Sequence, residues 1–84
     1  MTMTRNATQE FFRTADLALC GALCVLGFVV EEMDRANARR SVFIFKSSAA
    51  LRDAVDEYWR GELRVEPQAY FNQLKVLKAR IYER

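Results

Sequence analysis

Four groups of residues in this chain have side chains that could do chemistry. Cys20 and Cys24 stand four residues apart, and Asp53, Asp56 and Glu57 crowd one helical turn. Arg35, Asn37, Arg39 and Arg40 share the polar stretch "DRANARR", and Phe71, Lys75, Lys78 and Tyr82 recur at helical spacing near the C terminus. Two thiolates are half of a tetrahedral zinc site that a second chain could complete, and three carboxylates could hold a divalent cation or share a proton. Arginines at a hairpin tip can grip phosphates or enter a nucleic-acid groove, and aromatics interleaved with lysines suit stacked bases.

Each group also has a plainer use. Cysteines at i and i+4 of a helix project along one face, where a mutual disulfide is strained and small buried hydrophobes are the ordinary role. Arg52 and Arg60 flank the three carboxylates, as on a solvated helix face. Glu31, Glu32 and Asp34 dilute the field of the hairpin arginines, and lysine stems can simply cover apolar surface. The chain contains no histidine, which removes the commonest general base and the commonest metal ligand together. Serine triads, papain-like pairs and Cys/His zinc sites are thereby excluded. Gly21, Gly27 and Gly61 stand too far apart for a phosphate loop. No activated nucleophile or acid–base pair can be named, so the expectation is no enzyme, no cofactor and no metal.

The elements that must position these residues are those of one small domain. A chain of 84 residues buries only about 60 to 65% of the surface its unfolded state exposes, so a compact core or a partner must stabilise it. A net charge of +2 falls short of the basic excess usual in small nucleic-acid-binding proteins. Leu17 to Val30 runs fourteen residues without a charge, whereas a membrane span needs about 20. Glu10 and Asp16 spoil a signal peptide, and Glu31-Glu32-Met33 offers no small-residue cleavage site. The expected compartment is the cytoplasm, with no membrane contact and no disulfide framework.

Residues 1–10 read as a flexible polar tail and residues 11–84 as a single α+β domain. Its predicted order is (short β)-α-β-β-α-α, an antiparallel hairpin packed on helices with an apolar helix one at the centre. Phe11 and Phe12 supply the short strand, and Thr14 caps helix one, which runs to Leu26 and stops at Gly27. Phe28–Met33 and Ser41–Lys46 form the hairpin around the "DRANARR" loop. Because "VFIF" is apolar on both faces, its strand is central, with one face under the helices and the other covered by something else, a second subunit among the options. Ser47 or Ser48 caps helix two, Ala49–Arg60, whose buried face is Leu51, Ala54, Val55 and Tyr58. Pro67 opens helix three, whose stripe is Tyr70, Leu74, Leu77 and Ile81. Trp59, Gly61, Val65, Pro67 and Tyr70 then make a corner pinned by aromatics, in which Trp59→Ala would cost about 3 to 5 kcal/mol.

Helix one is apolar all round, with Leu19, Ala22, Leu23 and Leu26 opposite Leu17, Cys20, Gly21 and Cys24. A two-fold homodimer through Leu19, Ala22, Leu23 and Leu26 would cover it; alternatively the sheet wraps one side and helices two and three the other. The favoured function is a non-enzymatic interaction or accessory module acting as a homodimer on a protein partner. The alternative is a weak nucleic-acid binder using Arg35, Arg39 and Arg40 with Lys75 and Lys78.

Three pieces of the chain, "DLALCGALCVLGF", "VFIF" and "EYWRGELRVEPQAYFNQLKVLKARIY", together resemble a small bacterial and phage-associated domain-of-unknown-function family. The positions that carry the resemblance are Asp16, Leu17, Gly27, Phe28, Phe43, Phe45, Trp59, Gly61, Val65, Pro67, Tyr70, Leu77 and Tyr82. It spans residues 11 to 83, implies the fold read above and implies no activity.

Overall fold

The computed structural model describes residues 10–37 and 39–82. Within them β1 (Phe11–Thr14), α1 (Leu17–Val25), β2 (Val30–Asn37), β3 (Arg40–Lys46), α2 (Ala49–Trp59) and α3 (Pro67–Tyr82) follow in the predicted order. The β-branched and aromatic run of β3 takes the centre of the sheet, whose order is β1-β3-β2 with both pairings antiparallel. Glu10, read as tail, is already engaged, its carbonyl accepting the Ser47 N–H at 3.1 Å. The rest of the predicted tail lies outside the described residues.

Side chains alternate across β3. Phe43 and Phe45 enter the core under the helices, and Ile44 lies on the other face between its register partners Arg13 and Glu32. Arg13 of β1 reaches across to Asp34 of β2 and pairs with it at 3.0 Å. Ile44 is buried within the chain, so this face does not need the second subunit suggested by the apolar run.

The hairpin departs from expectation. Its strands continue into "DRANARR", β2 as far as Asn37 and β3 from Arg40, with Asn37 opposite Arg40. The Asp34 and Asn37 carboxyl and amide oxygens accept the N–H groups of Ala36 and Arg39, each at 2.9 Å, which supports the backbone beside a shift in register. Polar residues cost little on a solvated edge strand, so hydrophobic pattern could not reveal the extension.

Helix boundaries follow local chemistry. Thr14 belongs to β1, and Asp16, not Thr14, caps α1 by accepting the Leu19 N–H at 3.2 Å. Ser48 caps α2 in the same way at 3.1 Å. Glu66 accepts the Gln68 and Ala69 N–H groups, so Pro67 stands in the first turn, as expected. Gly27 and Gly61, with φ of 102° and 74°, close α1 and α2 by the same motif. In each, the residue after the glycine donates to the carbonyl five positions back.

α1 is central, and the chain itself covers it. Leu19, Cys20 and Leu23 share one cluster with Phe43 and Phe45 of the sheet, Leu51 and Ala54 of α2 and Leu77 of α3. Gly21 admits α3 on the remaining side, where Leu74 and Tyr70 lie against it. The predicted dimer surface is therefore not available. Leu19 and Ala22 are buried and Leu23 is 0% exposed, leaving Leu26 at 43%. The alternative reading, with the sheet and the other helices sharing the cover, is the one adopted.

The corner after α2 also needs correction. Leu63, Val65 and Tyr70 are half-buried, and the Tyr70 hydroxyl donates to the Ala18 carbonyl at 3.2 Å, tying α3 to α1. Trp59, by contrast, is 65% exposed, its ring in a T-shaped contact with Tyr58 at 5.0 Å between ring centroids. Tyr58 continues the buried stripe of α2, and the next residue turns about 100° away from it. Among the described residues no helix is long and apolar enough to cross a membrane.

Candidate functional site

α3 carries Lys75, Lys78 and Arg80 and not one carboxylate. Its helical period places Phe71, Lys75, Lys78 and Tyr82 in one narrow sector beside the buried stripe, and all four are exposed. The row is about 16 Å long at 1.5 Å per residue. Lys75 Nζ sits 5.0 Å from the centre of the Phe71 ring, a cation–π contact that holds charge and aromatic face together. Beside it, Pro67, Gln68, Phe71, Asn72 and Lys75 border a hollow on the flank of this one helix.

Tyr82 ends the row and also walls a cavity of about 350 Å³. That cavity lies where three elements meet: Ala15 and Leu17 at the start of α1, Arg39, Arg40, Ser41 and Phe43 at the start of β3, and Ile81 and Tyr82 at the end of α3. Tyr82 thus belongs both to the helical row of Phe71, Lys75 and Lys78 and to the cavity lined by Arg39 and Arg40, two basic features far apart in sequence. None of these four cations forms an ion pair among the described residues.

Arg35, expected at the same tip, has another use. Its guanidinium donates to the Arg80 carbonyl near the C-terminal end of α3, where a cation also suits the helix dipole. It links the hairpin to the end of α3 that carries Tyr82. The Asn37 side chain, bonded to the Arg39 N–H at 2.9 Å, shapes the turn.

The remaining groups stay apart from this surface. Cys20 is buried and Cys24 half-buried, and both thiols are free. Their mutual hydrogen bond raises the Cys20 pKa, with burial adding to it; the same bond, with the charge of Arg80, lowers that of Cys24. A thiol as enclosed as Cys20 cannot join a zinc site shared with another chain. Asp53, Asp56 and Glu57 are exposed on α2, and no metal-binding group of three His, Cys, Asp or Glu forms among the described residues. Burial, reinforced by Asp16 and Tyr70, raises the Tyr58 pKa.

Sequence reading missed the cavity and the double role of Tyr82. Ala15 and Ser41 carry no chemical signal of their own, Leu17 and Ile81 read only as apolar packing positions, and only the packing of three elements brings them together. Of the predicted corner of Trp59, Gly61, Val65, Pro67 and Tyr70, Pro67 opens α3 about 22 Å along its axis from Tyr82.

The family model described as a domain of unknown function (DUF5659) matches residues 9–83, a span that contains all six elements. No curated protein and no solved structure matches the chain. The motifs' resemblance to a small domain of unknown function thus holds, and the chain belongs to the DUF5659 family of domains of unknown function.

Proposed function

We propose that the protein is a non-enzymatic module that binds single-stranded nucleic acid along the exposed face of α3, working in the cytoplasm. The observation that carries this reading is the position of Tyr82, which joins the Phe71/Lys75/Lys78 row to the cavity of Arg39 and Arg40. Exposed rings give unpaired bases a surface to stack on, and the cations between them neutralise phosphates. The net charge of +2 favours modest affinity with a clear salt dependence. Burial of Leu19, Ala22 and Leu23 removes the surface on which a homodimer was first expected. A protein partner is the second reading, supported by exposed Leu26 and Val29 at the α1–β2 link.

The test is fluorescence anisotropy with an unstructured oligonucleotide, its duplex form and polyglutamate over a range of salt. Tighter binding of the single strand is expected. Lys75→Ala/Lys78→Ala should flatten the logarithmic salt slope by about 0.7 per lost phosphate contact. Equal binding of polyglutamate, or no binding at low salt, defeats the reading.

A further inference from the structure

We infer that the cavity between Arg39, Arg40 and Tyr82 receives a terminal phosphomonoester, with the adjoining base against the Tyr82 ring. In naming a nucleotide as occupant, this rests on the nucleic-acid reading above.

Charge is the first support. Arg39 and Arg40 both line the cavity, and neither has an ion-pair partner among the described residues. Two fixed positive charges match a phosphomonoester, which carries about −1.5 to −2 at neutral pH. An internal phosphodiester offers only one negative charge. Guanidinium forks suit phosphate oxygens geometrically, and the Ser41 hydroxyl adds a further donor in the same wall.

The backbone around the cavity assists. Ala15 and Leu17 place it at the first turn of α1, a nine-residue helix whose positive dipole end favours an anion. The Asp16 carboxylate opposes this in part, but it is bonded to the Leu19 N–H as the cap. The negative end of α3 is moderated by Arg35, which donates to the Arg80 carbonyl.

Shape completes the case. Leu17, Phe43, Ile81 and the 79%-exposed Tyr82 supply apolar and aromatic surface beside the arginines. A volume of about 350 Å³ is at the small end of ligand cavities, which run from about 300 to 1,000 Å³. That suits one nucleotide unit.

The experiment compares internally labelled oligonucleotides ending in 5′-phosphate, 3′-phosphate or hydroxyl groups only, together with a mononucleotide. One phosphorylated end should bind about tenfold tighter, as one charge-assisted contact allows. Arg39→Ala/Arg40→Ala, with unchanged circular dichroism, should abolish that preference; Lys75→Ala/Lys78→Ala should weaken all ends alike and keep it. Equal binding of every end overturns the cavity assignment and leaves the nucleic-acid reading standing. Arginine-dependent binding of the mononucleotide without any oligonucleotide binding supports the cavity and defeats the broader reading. No binding of either ligand removes both.

Discussion

Gly21 of α1 lies so close beneath Leu74 of α3 that a β-carbon there would stand 2.8 Å from the leucine Cδ2 and 3.3 Å from Tyr70 Cε1. The absent side chain sets the distance between the two helices. Gly21→Ala combines a helix-propensity gain of about 1 kcal/mol with displacement of the mobile Leu74 tip, so a small net change is expected. Gly21→Leu must push both side chains aside and should lower unfolding free energy by about 1 to 3 kcal/mol. Urea denaturation of the two variants checks this, and equal midpoints would contradict the packing of α3 on α1.

Trp59→Ala should cost no more than about 1 kcal/mol, since its ring is mostly in water. Phe45→Ala, at the centre of the sheet and fully buried, should cost about 3 to 5 kcal/mol. A loss of the larger size at Trp59 would restore it as the pin of the corner.

Leu23→Asp should give insoluble or unfolded protein, because a carboxylate would replace a side chain enclosed by its own chain. Leu26→Asp should remain folded, with the solution mass of the parent by light scattering. A folded, monomeric Leu23→Asp variant of a dimeric parent would reinstate helix one as an interface.

The two thiols should react unequally. The hydrogen bond from Cys20 and the charge of Arg80 stabilise the Cys24 thiolate, so alkylation of Cys24 should persist to lower pH than that of a free cysteine. Cys20, buried and with its pKa raised, should label only on unfolding. Mass spectrometry after a short iodoacetamide pulse should find a single adduct at Cys24, and Arg80→Gln should slow its formation. Equal labelling of both sites in the folded protein would contradict this arrangement.

Much of the fold was legible because it is written in local patterns. Apolar periodicity marked α2 and α3, an uncharged apolar run marked α1, Gly27 and Gly61 marked the ends of α1 and α2, and "VFIF" marked the central strand. Residues 34 to 37 misled for a physical reason: an edge strand half in water has no apolar alternation to betray it. The α1 start was misplaced by two residues because Thr14 and Asp16 both have capping chemistry, and the pairing of Thr14 with Phe43 assigned the first to the sheet.

Functional surfaces were legible as residue types but not as neighbourhoods. By itself the sequence determined the element order, the absence of histidine chemistry and the aromatic–lysine row of α3, because composition and helical period are properties of single segments. Tertiary structure alone decided that α1 is covered within the chain, that Trp59 faces water, that Arg35 caps α3, and that Arg39 and Arg40 share a cavity with Tyr82. Each of these depends on long-range packing, in which the face an element buries is set by the neighbours that arrive there.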